Sequence, residues 1–238
     1  MKYFRRINRV KALTFDLDDT LYDNHPYIVA AEKQLFAFMF EHWPVLQQTG
    51  KAGWIQYRRQ CVAQNPLLIN DMIALRRCVL GKLFAEIGLS GDEHQQAVQQ
   101  SYDTFYFHRS NFKVAPEYVA VLQQLRAKVL VLVITNGNVD IERVGLGSCF
   151  DEVYHASTEQ RSKPHADMFN NAAKYLNLSA DQILHVGDSL ENDVYGALNA
   201  GYMAAWYADN RKMDLSREKC RQLPHLQLDC LEDLLSLV

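Results

Sequence analysis

Two acidic residues follow the first apolar run of the chain at a spacing that suits phosphoryl chemistry. Asp16 comes directly after the apolar residues 11–15, and Asp18 lies two residues further on. A carboxylate that emerges from a buried strand is held rigidly enough to act as a nucleophile on phosphorus. A second carboxylate on the same side of the turn can give a proton to the leaving alkoxide and then remove one from water. We therefore predict Asp16 as the nucleophile and Asp18 as the general acid and base.

Groups suited to binding a phosphate follow in the middle of the chain. Thr135 and Asn136 come directly after the apolar residues 129–134, and Lys163 stands just before a predicted helix. A threonine hydroxyl offers a hydrogen bond and a lysine offers a fixed positive charge, while backbone N–H groups at turns and helix N-termini add further donors. We expect Thr135, Asn136 and Lys163 to bind the phosphate oxygens.

A further acidic pair, Asp188 and Asp193, follows the predicted strand 183–186. Phosphoryl transfer depends on neutralising charge on the phosphate oxygens, usually with Mg²⁺. Mg²⁺ prefers octahedral oxygen ligation by one or two carboxylates, with water and the phosphate completing the shell. Asp16 and Asp188 are the natural carboxylate pair for such a site, so Mg²⁺ is the expected cofactor.

These residues form four motifs in chain order, which are Asp16-x-Asp18-x-Thr20, Thr135, Lys163 and Gly187-Asp188-x-x-x-x-Asp193. The set resembles the four motifs of the haloacid dehalogenase (HAD) superfamily of phosphatases, and the resemblance spans nearly the whole chain. It implies that Mg²⁺ is bound by Asp16, the backbone carbonyl of Asp18, and Asp188. It also implies that Asp193 supports the metal through water or by holding Lys163.

The resemblance also implies a substrate class. Dehalogenases and ATPases of the superfamily lack the second acid of the first motif, so the presence of Asp18 favours hydrolysis of phosphate esters. The longer stretches 12–24, 135–138, 161–164 and 184–188 look most like those of a subgroup of small-molecule phosphatases. That subgroup acts on flavin mononucleotide and on 5-amino-6-(5-phospho-D-ribitylamino)uracil, a precursor of riboflavin. The implied activity is Mg²⁺-dependent hydrolysis of one of these esters through an aspartyl-phosphate.

Two other functions remain open at this point. A phosphosugar mutase forms the same aspartyl-phosphate but returns the phosphoryl group to the sugar instead of to water. A non-enzymatic phospho-acceptor signalling domain of the response-regulator kind also combines Asp, Thr, Lys and Mg²⁺ on a parallel sheet. Its acid pair normally precedes the phosphorylated Asp by a full strand and helix, and it carries no helical insertion. The spacing of the motifs therefore disfavours the signalling domain.

The elements that must position these residues alternate between strand and helix. Such alternation argues for an α/β fold with a parallel sheet covered on both faces. Ligands bind such sheets at the carboxyl ends of the strands. Three of the motifs directly follow predicted strands, and the Lys163 segment follows a strand by several residues and opens a helix. The predicted strands are 11–15, 129–134, 153–155, 183–186 and 203–207, and the predicted helices are 117–126, 139–144, 165–176 and 190–200.

The segment between the first strand and the rest has a different character. Apolar residues recur there at helical spacing, Pro26 is placed to begin a first helix, and Gly88 ends a third. Ser90 and Glu93 form a capping-box signature for a fourth helix. We predict a Rossmann-like HAD core of residues 1–23 and 112–238 with an inserted four-helix cap of residues 24–111, which closes over the substrate.

Composition narrows the class of protein. The chain has 238 residues, 48% of them hydrophobic, and a net charge of −3, which excludes a disordered chain and gives no overall attraction to nucleic acid. The longest aliphatic run, residues 129–134, is far too short to span a membrane, and the N-terminus has no signal-peptide core. Five scattered cysteines suit reduced thiols. We expect a cytoplasmic protein whose partner is a small-molecule phosphate ester, with neither nucleic acid nor membrane as partner. A monomer is consistent with the sequence, which leaves the oligomeric state open.

Two other residues near the motifs have ordinary alternatives. Asp19 is expected to hydrogen-bond within its turn and not to take part in catalysis. Arg109, where the chain returns from the insertion, is a candidate contact for a second phosphate or a ribityl group, although packing is its more common role.

Overall fold

A seven-stranded sheet lies at the centre of the structure, a computed structural model that describes residues 1–238. The strands are β1 (Lys2–Tyr3), β2 (Ala12–Phe15), β3 (Leu130–Thr135), β4 (Glu152–His155), β5 (Ile183–Gly187), β6 (Met203–Trp206) and β7 (Leu226–Gln227). Their order across the sheet is β1-β7-β6-β5-β2-β3-β4, and all neighbours are parallel except β1 and β7. The predicted parallel sheet is confirmed, with two short strands at one edge that the sequence did not indicate.

The central strand β2 is apolar or small at every position and fully buried, as expected for a strand covered on both faces. It pairs with β3 on one side and β5 on the other, so that Phe15 lies opposite both Val133 and Val186. This register brings the carboxyl ends of all three strands to the same edge. Asp16, Thr135 and Asp188 therefore converge although they are far apart in the sequence.

Four helices, α1 (His25–His42), α2 (Leu46–Gln64), α3 (Met72–Glu86) and α4 (Gly91–Arg109), separate β2 from the remaining strands. They pack around a hydrophobic cluster of their own, which includes Leu35, Phe84 and Phe105. This is the predicted four-helix cap. Gly50, with φ of 50°, interrupts helix α2 near its start.

The core helices cover the two faces of the sheet. They are α5 (Pro116–Arg126), α6 (Asp167–Leu176) and α7 (Gly196–Asn199), which continues a π-helical segment at Leu190–Tyr195. A short C-terminal helix at Leu231–Ser236 buries Leu231 and Leu234 against the core. None of the helices in the structure is long and apolar enough to cross a bilayer.

Two local expectations are wrong. Residues 139–144 form no helix, because the chain makes a single turn that ends at Gly145 in the left-handed region, with φ of 89°. Ser90 precedes α4 but makes no capping hydrogen bond with its side chain. The following Gly91 has φ of 56°, so the backbone enters the helix by a path that does not present the first N–H groups to Ser90.

The expectation of five reduced thiols is wrong for one pair. Cys61 of α2 and Cys78 of α3 form a disulfide, with 6.3 Å between their Cα atoms. Cys149, Cys220 and Cys230 are free. The spacing of the two cysteines in the sequence does not reveal which faces of α2 and α3 meet, so only the packing of the cap brings them together.

Candidate active site

A polar pocket of about 220 Å³ opens at the carboxyl ends of β2, β3 and β5. No hydrophobic side chain lines it, which is unusual for a cavity that binds an apolar ligand and typical of one that binds a charged group. It contains every site residue that the sequence predicted. The lining residues are Asp16, Asp18, Asp19, Thr135, Asn136, Gly137, Lys163, Asp188, Ser189, Asn192 and Asp193.

Lys163 is the cation of this pocket, and its side chain is almost completely buried. Its Nζ donates to Asp16 Oδ1 at 2.7 Å, to Asp193 Oδ1 at 2.6 Å and to the backbone carbonyl of Ile134 at 2.7 Å. Burial alone would lower the pKa of Lys163, but the two carboxylates outweigh it and hold that pKa above its ordinary value. The ammonium is therefore charged and fixed in position.

Asp193 helps to hold the Lys163 ammonium in this position. Its Oδ1 also accepts from His185 Nε2 at 3.1 Å, and its Oδ2 accepts from the backbone N–H of Ser189 at 2.9 Å. Burial lowers the pKa of His185, so the ring is neutral, and its Nδ1 accepts from the Thr14 hydroxyl at 2.9 Å. Although burial opposes it, Lys163 holds the pKa of Asp193 below its ordinary value. Asp193 is thus a charged residue whose two oxygens are both used by donors of the protein.

Carboxylate oxygens of Asp16, Asp188 and Asp193 all lie within 4.8 Å of one another. Burial, with the neighbouring carboxylates, raises the pKa of Asp16 well above its ordinary range, against the effect of Lys163. Burial and the Asp193 carboxylate raise the pKa of Asp188 to about 7. Carboxylates crowded in this way repel one another, and a small divalent cation with oxygen ligands would relieve the repulsion. The donor set fits Mg²⁺, with Asp16 and Asp188 as the carboxylates left available to it.

The predicted phosphate-binding residues are tied to one another. The Thr135 hydroxyl oxygen accepts from the backbone N–H of Gly137 at 3.0 Å, which leaves its proton free to donate. The Asn136 side chain accepts from the backbone N–H of Lys163 at 2.8 Å and donates to the carbonyl of the same residue at 3.0 Å. The amide of Asn136 therefore fixes the segment that carries Lys163.

Asp18 is held by two donors on a single oxygen. Its Oδ1 accepts from Arg109 Nη2 at 2.5 Å and from the Tyr22 hydroxyl at 2.6 Å. Arg109 is the last residue of α4 and is buried, so this candidate phosphate contact binds the Asp18 carboxylate instead. The neighbouring Asp19 has φ of 63° and accepts from the backbone N–H of Asn24 at 2.9 Å, which is the turn role predicted for it.

Residues 10–201 match the family described as haloacid dehalogenase-like hydrolase. Over the full length of both chains, the sequence is 36% identical to the 5-amino-6-(5-phospho-D-ribitylamino)uracil phosphatase YigB of Escherichia coli strain K12. The chain belongs to the HAD-like hydrolases. The resemblance seen in its four motifs is thus confirmed for the whole chain.

One other relative of this HAD-like hydrolase is also a phosphatase, and a solved structure shares its fold. A glyceraldehyde 3-phosphate phosphatase of Pyrococcus furiosus is 26% identical, covering 89% of this chain and 86% of that one. The crystal structure of a 2-haloacid dehalogenase from Pseudomonas syringae pv. Tomato DC3000 superposes with a TM-score of 0.87 at 32% identity, covering 96% and 97% of the two chains. The chain is a phosphoric monoester hydrolase with the HAD fold.

Some residues of the HAD-like site carry no signal in the sequence. Arg211 donates to Asp188 Oδ2 at 2.9 Å and to the backbone carbonyl of the same residue at 2.8 Å, and it also pairs with Glu218. It lies in a segment with no motif and no regular pattern, so nothing in the sequence pointed to it. His185 is different, because it stands in an otherwise apolar strand directly before Gly187-Asp188, where a buried polar residue is itself a signal.

Gly137 leads to a prediction about the geometry of the HAD-like site. A Cβ atom at residue 137 would lie 2.6 Å from Asp18 Oδ2, closer than van der Waals contact allows. Gly137→Ala should therefore push the Asp18 carboxyl out of place and lower kcat by about 10- to 100-fold, with little change in Tm. Steady-state kinetics and thermal unfolding of the same preparation check this. Unchanged kcat would show that the position of Oδ2 is unimportant to the reaction.

Proposed function

We propose that this HAD-like hydrolase is a Mg²⁺-dependent phosphatase that transfers a phosphoryl group from a small-molecule monoester to Asp16 and then to water. The observation that carries the proposal is the polar pocket shared by Asp16, Lys163 and Asp188, which Asp18 also lines. This reaction needs a carboxylate nucleophile, a fixed positive charge, a binding site for a metal cation and a second carboxyl group.

In the first step, an oxygen of Asp16 attacks phosphorus and the bond from phosphorus to the ester oxygen breaks. Lys163 and the Thr135 hydroxyl stabilise the phosphate oxygens, and we assign the backbone N–H of Asn136 to the same task because its side chain is engaged with Lys163. Protonated Asp18 gives its proton to the departing alkoxide, which leaves as an alcohol. The product on the enzyme is an aspartyl-phosphate at Asp16.

In the second step, the carboxylate of Asp18 removes a proton from water as the water oxygen attacks phosphorus. The bond from phosphorus to Asp16 breaks, so inorganic phosphate leaves and both carboxyl groups return to their starting states. Mg²⁺, bound by Asp16, the backbone carbonyl of Asp18 and Asp188 with support from Asp193, would neutralise charge between the nucleophile and the phosphate.

The substrate that we propose is flavin mononucleotide or 5-amino-6-(5-phospho-D-ribitylamino)uracil. The full-length identity with the Escherichia coli phosphatase for the second compound supports this. A cavity of about 380 Å³ next to the phosphate pocket gives room for a leaving group, with Arg77 and Tyr106 of the cap facing Asn138 and His155 of the core. Gly137 lines the phosphate pocket and Asn138 lines this cavity, so adjacent residues border both spaces.

We propose that residues 24–111 act as a lid over a catalytic core of residues 1–23 and 112–238. Asn70 of the insertion accepts from both the backbone N–H and the hydroxyl of Ser162, at 3.1 and 2.9 Å. This contact lies directly beside Lys163, so the lid touches the segment that carries the phosphate-binding cation. Closure would exclude bulk water from the reacting phosphate. Because the proposed substrates are phosphorylated metabolites, we place the enzyme in the cytoplasm.

A panel of phosphorylated metabolites that includes flavin mononucleotide tests the function. We expect inorganic phosphate to be released from flavin mononucleotide or the ribitylaminouracil phosphate with Mg²⁺, to stop when EDTA removes the metal, and to return when Mg²⁺ is added in excess. Turnover of sugar phosphates alone would contradict the substrate assignment. An isomerised sugar phosphate as product would indicate a mutase, and release from no ester at all would contradict the phosphatase mechanism.

A further inference from the structure

We propose that Arg109 is a positioning residue that, together with Tyr22, fixes Asp18 so that its proton faces the leaving group. These two donors and the Asp18 carboxyl group are called the acid clamp below. The inference rests on the proposed function, because it concerns the residue to which that function assigns proton transfer.

The side chain of Arg109 is almost completely buried. The residue is 1% exposed, and a guanidinium in such surroundings requires a carboxylate or several hydrogen bonds. Its ion pair is with Asp18, and its Nη1 has no hydrogen-bond partner. The position of the Arg109 side chain is thus tied to that of the Asp18 carboxyl group. Ordinary surface arginines have no such dependence.

The two hydrogen bonds to Asp18 decide which of its oxygens carries the proton. Both donors of the acid clamp, Arg109 Nη2 and the Tyr22 hydroxyl, bind Oδ1. An oxygen that accepts two hydrogen bonds is a poor site for a proton, so protonated Asp18 carries its proton on Oδ2. Oδ2 lies against Gly137, at the wall of the phosphate pocket. The clamp therefore directs the acid proton into the pocket where the ester oxygen departs.

The two donors come from the two segments that connect the cap and the core. Arg109 ends α4 where the chain returns from the cap, and Tyr22 precedes α1 where the chain enters it. The two connecting segments pack against each other, since the ring of Phe112 lies 4.7 Å from that of Tyr22 and stacks on that of Tyr27 at 3.8 Å. The acid clamp is complete only when both connecting segments hold their donors against Asp18. The orientation of the Asp18 carboxyl group is therefore linked to the position of the cap on the core.

The proposed role of Arg109 and a simple packing role predict different effects on alkyl and aryl esters. An alkoxide leaving group needs a proton in the first step, whereas p-nitrophenolate leaves without one at neutral pH. The constant kcat/KM covers only the steps up to the first irreversible one, which here is transfer to Asp16. Loss of the clamp should therefore reduce kcat/KM more for an alkyl ester than for p-nitrophenyl phosphate.

The test compares the two esters on one preparation of each variant, so that any inactive or misfolded fraction cancels in the ratio of the two kcat/KM values. The alkyl ester is flavin mononucleotide, or the alkyl phosphate of the panel that wild-type enzyme hydrolyses fastest. Arg109→Met should lower the alkyl-to-aryl ratio by about tenfold or more. Tyr22→Phe, which removes one hydroxyl and keeps the ring, should lower it by a smaller factor. Arg109→Lys, which keeps a charged donor, should restore part of the ratio.

Arg76→Met is the matched control. Arg76 is also a buried arginine of the cap, but its guanidinium lies over the ring of Phe105 at 3.5 Å and not on Asp18. Its variant should leave the ratio unchanged even if the protein is less stable. An equal fall for both esters in Arg109→Met and Tyr22→Phe would overturn the inference and leave Arg109 with a packing role. Failure of wild-type enzyme to hydrolyse any alkyl ester would contradict the proposed function instead.

Discussion

Asp16→Asn is expected to lower Mg²⁺-dependent phosphate release by at least about 10⁴-fold, because an amide does not attack phosphorus and no other nucleophile lies in the same place. The pocket around residue 16 is polar and buried, and Lys163 holds one oxygen of the carboxylate at 2.7 Å. The substitution removes the nucleophile with almost no change of shape. Phosphate release from p-nitrophenyl phosphate and from the best metabolite of the panel measures the loss.

The same substitution should not unfold the protein. Asp16 lies close to the carboxylates of Asp188 and Asp193, and burial together with their charges raises its pKa well above the ordinary range. A raised carboxyl pKa means that the folded state favours the neutral form, so the charged form lowers stability at neutral pH and a neutral amide removes that cost. Lys163 keeps its bonds to Asp193 and to Ile134. We expect the Tm of the metal-free variant to equal or exceed that of the wild type.

Asp19→Asn is the matched control for Asp16→Asn. Asp19 lines the same pocket, yet its side chain accepts from Asn24 within the turn, and asparagine both keeps that acceptor and tolerates the left-handed backbone at this position. Its activity should stay within about tenfold of wild type, as expected for a substitution away from the reacting atoms. Intact-mass analysis of acid-quenched enzyme should detect a phosphorylated form in wild type and not in Asp16→Asn. Substantial turnover by Asp16→Asn would refute the covalent mechanism.

The sequence predicted which residues meet at the candidate site because most of them stand at the ends of strands. Once β2, β3 and β5 are taken as parallel neighbours, the register alone brings Asp16, Thr135 and Asp188 to one edge. The type of most elements followed from the periodicity of apolar residues, although residues 139–144 form a turn and not the predicted helix, and β1 and β7 were not indicated. These features depend on short stretches of sequence, which is why they could be predicted.

Contacts that depend on how separate elements pack could not be predicted. Arg211 reaches Asp188 from a segment without a pattern, and Cys61 meets Cys78 only because α2 lies against α3. Arg109 was noted for its place in the chain, but its partner depends on the angle at which α4 returns to the core. Such pairings depend on distances between whole elements, and no local spacing encodes them.

Asp18→Asn is expected to separate the two steps of the reaction. With p-nitrophenyl phosphate the first step needs no acid, so Asp16 should still be phosphorylated and release about one equivalent of p-nitrophenol in a burst. The second step then lacks its base, and steady turnover should fall by about 10²- to 10⁴-fold. With an alkyl ester both steps are impaired and no burst should appear. Stopped-flow absorbance at the p-nitrophenolate band measures the burst.

The structure indicates how to tell this loss from damage to the fold. Asparagine at residue 18 keeps an oxygen that can accept from Arg109 and Tyr22, but buried Arg109 loses its counter-charge, so a fall in stability of about 1–3 kcal/mol is expected. A burst close to one equivalent per folded enzyme shows that the nucleophile and the phosphate site remain intact despite that fall. Slow turnover with no burst would mean that Asp18 is needed to phosphorylate Asp16 even when the leaving group requires no proton. That result would contradict its assignment as an acid and base and indicate instead that its charge orders the pocket.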